Sequence, residues 1–148
     1  MEHIAQPSRI GQIQDPKEAF WQIARFLSQH PAYRNTPFAN IQRLQQSIAL
    51  GQYYCLSDGN SLQAVATWQE VNAERLLRDF PRYVAEAGET TDAIFITSLV
   101  GTDSASLRRM AAILREMFAD KDVYWNRHKG KLGHRAKKPA ARKSERLN

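Results

Sequence analysis

The sequence predicts an α/β fold, in the α+β sense of a mixed sheet with helices packed on its faces, followed by a basic C-terminal segment. Three observations predict it. Residues 51–71, GQYYCLSDGNSLQAVATWQEV, carry two strand-like runs around Asp58-Gly59, the pattern of a β-hairpin. Residues 93–100, AIFITSLV, form an apolar run of strand length. The segments around them repeat apolar residues every three to four positions, the period of a helix.

The elements follow in order. Residues 1–14 read as an irregular lead. Asp15-Pro16-Lys17-Glu18 is a helix start: Asp can cap, Pro suits the first helical position, and Glu18 would complete a capping box. Phe20, Ile23, Ala24 and Leu27 then share one face up to about residue 29. His30-Pro31 ends the helix, because the residue before proline is pushed out of the helical region. A turn at residues 32–37 leads to a second helix, 37–50, with Phe38, Ile41, Leu44 and Ile48 on its apolar face and Gly51 as its C-cap. Strands over 53–57 and 62–69 flank the tight turn, and Asn72 caps a third helix bearing Leu76, Leu77 and Phe80. Pro81 kinks or restarts that helix near Asp79.

After a loop at 88–91, residues 93–100 suit a central strand buried on both faces. The junction Gly101-Thr102-Asp103-Ser104 precedes a helix whose Leu107, Met110, Ala111, Leu114, Met117 and Phe118 make one apolar stripe. Residues 123–125 suit a last strand. The order α-α-β-β-α-β-α-β implies a mixed sheet. The aromatic residues Trp21, Phe26, Phe38, Trp68 and Phe118 read as core.

At 148 residues the chain reads as one domain over 15–126, able to bury about 68–70% of its unfolded surface. Apolar residues make up 43% and charged residues 24%, ordinary for a soluble protein. No apolar run is long enough for a membrane span, and the first residues lack the pattern of a secretory signal. The single Cys55 allows no internal disulfide, which fits a reducing, cytoplasmic setting. Within a strand it reads as a small buried hydrophobe rather than a nucleophile.

The net charge of +6 is concentrated. Residues 127–148 hold nine Lys/Arg and one acidic residue, a net of +8, whereas residues 1–126 carry a net of −2. Composition predicts that the basic segment 127–148 is mobile when alone. Its Arg127, Lys129, Lys131, Arg135, Lys137, Lys138, Arg142 and Lys143 suit an acidic protein surface or nucleic acid, bound by counterion release. His128 and His134 could join them on phosphates. The segment has no aromatic side chain for base stacking, although Tyr124 and Trp125 lie just upstream. Association into a homo-oligomer or larger assembly is a further use of such an anchor.

Sites for chemistry are sparse. The strand–Gly–polar loop–helix unit places Gly101, Thr102, Ser104 and Ser106 where the N–H groups of a helix start could hold a phosphate. The plain alternative is a capped helix after a strand. His30 is the only histidine of the body, and it reads either as a general base or as a favourable charge at a helix end. No histidine has metal-ligand spacing, so no metal is expected, and no GxSxG, HExxH or dinucleotide fingerprint occurs.

Three segments together resemble the RTX toxin-activating lysine acyltransferases, the hemolysin-activating proteins: SQHPAYRNTPF at 28–38, the hairpin over 48–72, and AIFITSLVGTDSASLRRM at 93–110. The resemblance covers roughly residues 16–135 by order of elements. It implies a GNAT-like fold and transfer of an acyl group from acyl carrier protein, or from acyl-CoA, to a lysine amine. On the register of Pro31, Arg34, Asn35 and Pro37, the family's catalytic His falls on Tyr33, and its Asp falls on Thr97. A tyrosine with an ordinary pKa near 10 is a poor base at neutral pH, and threonine cannot balance an imidazolium. Either His30 supplies the base, with Thr97 or Ser98 as a positioning hydroxyl, or this member does not perform the usual reaction. The second option needs no repositioning and is the expectation here. It makes the chain a binding or structural component, possible phage origin and virion assembly included.

Overall fold

The computed structural model describes residues 9–36, 38–59, 61–127 and 131–138. The elements run β1 (Arg9–Gly11), α1 (Pro16–Ser28), a 3-10 turn (Pro31–Tyr33), α2 (Phe38–Ala49), β2 (Tyr53–Asp58), β3 (Ser61–Val71), α3 (Ala73–Asp79), β4 (Ala93–Gly101), α4 (Ser104–Met117), β5 (Asp122–Arg127) and β6 (Lys131–Arg135). The strand order is β1-β2-β3-β4-β5-β6. β4 and β5 pair in parallel, while β1–β2, β2–β3 and β5–β6 are antiparallel, so the sheet is mixed as expected.

Local chemistry accounts for the boundaries. Asp15 Oδ1 accepts from Lys17 N at 3.1 Å and starts α1 on Pro16. Glu18 does not appear as the second half of a capping box; its carboxylate accepts from Gln22 Nε2 at 2.8 Å. α2 ends on Gly51, whose φ of +71° favours glycine. There Gly51 N donates to Ile48 O and Gln52 N to Ser47 O, satisfying the last carbonyls. Asn72 Oδ1 accepts from Arg75 N at 3.0 Å and caps α3, which stops at Asp79 ahead of Pro81.

Packing divides the chain into two compact units. The first holds the residues up to Trp68 together with Ser98–Ala112. Its core joins Ala19, Ile23 and Leu27 of α1, Ile48 of α2, Tyr53 and Cys55 of β2, Val65 of β3 and Val100 of β4. The other unit holds Gln69–Thr97 and the residues from Ile113 onward. There Val71, Leu76, Tyr83, Ala93 and Tyr124 form the core, with Phe80, Phe95 and Leu132 against it.

Several expectations need correction. The strand buried on both faces is β3, buried at every position from Ala64 to Trp68, whereas β4 is only half-buried over Phe95, Ile96 and Thr97. Trp21 and Phe38, expected in the core, are 64% and 73% exposed, because the inner face of α1 is set by Ala19, Ile23 and Leu27 and that of α2 by Leu44 and Ile48. Residues 9–11 of the supposed irregular lead are a strand, with Ile10 opposite Leu56. Residues 131–135 of the basic segment, expected to be mobile, form a strand. Backbone pairing from Val123↔Arg135 to Arg127↔Lys131 overrides their polar composition.

Candidate functional site

β4 carries the junction that the sequence singles out. Its parallel ladder with β5 runs from Ala93↔Asp122 to Ile96↔Trp125, and residues 97–101 continue beyond it. In the first unit Ser98 is buried, and its hydroxyl lies 2.5 Å from that of the equally buried Thr67 on β3. The pair satisfies two interior polar groups. A hydroxyl is no general base, so this contact positions Ser98 without activating it.

The turn into α4 is tight. A Cβ on Gly101 would stand 2.9 Å from Leu107 N, so only glycine fits against the first turn of the helix without backbone movement. Thr102 is tied to β3 twice, N to Gln63 O at 2.8 Å and Oγ1 to Gln63 Oε1 at 2.9 Å. Asp103 Oδ1 then accepts from Ser106 N at 2.7 Å, while Leu107 N donates to Asp103 O. The helix cap is thus Asp103. The Ser106 amide and hydroxyl hold the Asp103 carboxyl below the usual carboxylate range, so it is ionised at neutral pH.

His30 and Tyr33 come together in the first unit, ring centroids 6.0 Å apart, edge to face. His30 is exposed, and its Nδ1 accepts from Ala32 N at 3.3 Å, capping the 3-10 turn. That is a capping contact, here at the start of a short turn. Tyr33 is half-buried against the α1–α2 core, and burial pushes its phenol above the ordinary value. It is therefore a still poorer base than the sequence alone suggested. Thr97 is half-buried and belongs to the second unit.

The basic end is built in the second unit. Arg127, Lys131, Lys137 and Lys138 are exposed. Arg135 is half-buried and donates to Phe118 O at 2.7 Å, fastening β6 to the end of α4. Lys137 N donates to Asp122 Oδ1 at 2.9 Å, and Lys138 N to Ala119 O at 2.9 Å. The Lys137 amide, with His134 beside it, holds the Asp122 carboxyl below its ordinary range. His134 also stacks on Tyr124 at 4.5 Å between centroids. Lys129, Arg142, Lys143 and His128 lie outside the described residues. Among the described residues no three His, Cys, Asp or Glu side chains gather as a metal site, and no helix is long and apolar enough to cross a membrane.

No protein-family model matches the chain, and no curated protein does. Solved structures do. The chain is similar to the polyamine N-acetyltransferase of Drosophila melanogaster, an enzyme that forms N-acetylagmatine. Identity is 14%, the match covers 95% of this chain and 82% of that one, and the TM-score is 0.55. The fold is GNAT acetyltransferase-like. It is also similar to a GNAT-family acetyltransferase of Streptococcus agalactiae at 13% identity over 86% of this chain and 80% of that one, with a TM-score of 0.49. At such identity the likeness concerns the GNAT-like fold alone.

Three features of the chain do not follow from residue types alone: the Asp103 cap, the Thr67–Ser98 hydroxyl pair, and the Trp125 indole, whose Cε2, Nε1 and Cζ2 lie where a Cβ on Gly133 would stand. Asp103 had a visible signal, an Asp three residues before Ser106 at a helix start. The other two depend on β3 and β6 lying beside β4 and β5, which no local pattern encodes.

Proposed function

We propose that this protein uses a GNAT-like scaffold as a binding component, anchored through its basic C-terminal end to a polyanionic partner, and does not transfer acyl groups. One observation carries the reading: the start of α4 is already filled by its own carboxylate. GNAT acetyltransferases use acyl-CoA. A phosphate of acyl-CoA, or of an acyl carrier's phosphopantetheine, placed at Gly101, Thr102, Ser104 and Ser106 would meet an ionised Asp103 and a Ser106 N–H already bonded at 2.7 Å. Thr102 is likewise committed to Gln63. These residues do not fit the group.

The finer resemblance to the RTX toxin-activating acyltransferases agrees with this reading. On the register of Pro31, Arg34, Asn35 and Pro37, Tyr33 and Thr97 would take the places of that family's His and Asp. The raised Tyr33 phenol and the cap-bound His30 supply no ready base. On this reading the chain is a member retained for binding, with a phage-encoded assembly role as one setting. The alternative reading, an active acyltransferase, is favoured by the fold shared with the polyamine acetyltransferase.

The deciding assay incubates wild type, His30→Ala and Asp103→Asn with labelled acetyl-CoA and with labelled acyl carrier protein, using a lysine peptide and agmatine as acceptors. No label reaches any acceptor from wild type. Label on an amine, lost in His30→Ala, overturns the proposal. Asp103→Asn keeps a capping side chain while removing the charge, and its CoA affinity rises above that of wild type.

A further inference from the structure

β5 and β6 form an antiparallel pair with Trp125 opposite Gly133 and Arg127 opposite Lys131. Directly opposed residues share a face, and so do residues two apart on one strand. Trp125, Arg127, Lys131, Gly133 and Arg135 are therefore on one face, and Tyr124 and His134 on the other. The indole of Trp125 lies over Gly133: a Cβ there would overlap Cε2, Nε1 and Cζ2 of the ring. Glycine at 133 leaves room for the ring against β6, and Trp125 is 37% exposed. Next to it stand the exposed Arg127 and Lys131. Val123, at the far end of the same face, is buried, so among the described residues the open part of the face is the aromatic ring with its cations.

We propose that this face binds single-stranded nucleic acid, a base stacking on the Trp125 indole while Arg127 and Lys131 contact the flanking phosphates. The inference deepens the anchor reading above and rests on it. Charge complementarity argues for a polyanion, since residues 127–148 carry a net +8. The flat exposed indole selects nucleic acid over an acidic protein. Every base offers a π-face to an aromatic platform, whereas aspartate and glutamate offer none. A duplex is disfavoured because its bases are already stacked and cannot reach a ring lying on a sheet face.

The test measures binding of the full chain to a fluorescent oligothymidylate of about 15 nucleotides, a length within single-strand site sizes. It runs by anisotropy across a salt series, with the matching duplex and poly-glutamate as competitors. Intrinsic tryptophan emission falls on saturation. Trp125→Leu, which still covers Gly133, weakens binding about 5- to 150-fold, and Trp125→Phe restores most of it. Arg127→Ala and Lys131→Ala each lower the salt slope by about 0.7. Circular dichroism confirms that each variant is folded. Binding unchanged in Trp125→Leu, or equal competition by poly-glutamate or duplex, overturns the proposal and leaves the charged anchor standing. Absence of binding to all three polyanions removes the anchor reading with it. Acyl transfer in the preceding assay would remove the non-enzymatic reading alone.

Discussion

Cys55 illustrates how much a single position owes to its surroundings. It is 4% exposed in the core of the first unit, and burial pushes its thiol up to about 12. The thiolate is the reactive form, so native Cys55 resists iodoacetamide at pH 8 and reacts promptly once the chain is unfolded in guanidinium. The same shift predicts the pH dependence of stability. The folded state keeps the thiol protonated where the unfolded chain, near its ordinary 9.0, has released it. The contribution is therefore fully present below pH 9 and is lost as pH rises from there toward about 12. Urea midpoints across that range fall with pH, and Cys55→Ala removes this component of the fall. Gly133 is the converse case, a residue that matters by what it lacks, because any side chain would displace the Trp125 ring.

At the scale of the elements, caps set boundaries that apolar periodicity leaves open. α3 is short, Ala73–Asp79, and an isolated helix of that length does not form in water. It persists through the Asn72 cap and the burial of Leu76. Arg75 adds a second tether by ion-pairing with Glu89, which also accepts from Tyr83 at 2.9 Å. Burial raises the Glu89 carboxyl, but the Glu86 amide, Arg75 and Tyr83 together bring it below its ordinary range. Replacing Asn72 by Ala removes the Oδ1 that accepts from Arg75 N, and destabilises by about 1 kcal/mol in urea unfolding, while Asn72→Asp keeps that cap acceptor but loses the Nδ2 donation to Thr90 O. An unchanged midpoint in Asn72→Ala would mean that the burial of Leu76 and the Arg75–Glu89 pair hold the helix without the cap.

Over the whole molecule, charge is the dominant asymmetry, and most of it sits on folded backbone. The hydrogen bonds from Lys137 N to Asp122 Oδ1 and from Lys138 N to Ala119 O hold the last described residues in the second unit. A truncation intended to remove charge must respect them. A chain ending at Lys138 keeps every hydrogen bond named here, and its urea midpoint is the reference. A chain ending at Arg135 loses both bonds, and is less stable by about 1–3 kcal/mol, taking roughly 0.5–1.5 for each. Equal midpoints for the two truncations would show that neither bond contributes. Binding lost only in the longer deletion therefore cannot be assigned to charge until its stability is matched.

The sequence by itself determined the helices α1 to α4, the hairpin of β2 and β3, and the strands β4 and β5, nearly to their ends. Asp15-Pro16, Gly51, Asn72 and Pro81 act on neighbouring backbone groups, so their effect is written locally. Tertiary structure alone decided the two edge strands. Residues 9–11 and 131–135 have little apolar periodicity and become strands because β2 and β5 offer them open backbone groups. It also decided which strand is buried on both faces, since that depends on what covers β3 and not on how apolar β4 is. The candidate site divides the same way. Gly101, Ser98, Asp103 and the basic residues were visible as residue types, and the Asp103 carboxylate caps α4 through Ser106 only three residues on, but the indole seated over Gly133 exists only once β5 and β6 pair. Hydrogen bonds along the chain can be read from neighbours; contacts between strands depend on register, which a single sequence does not state.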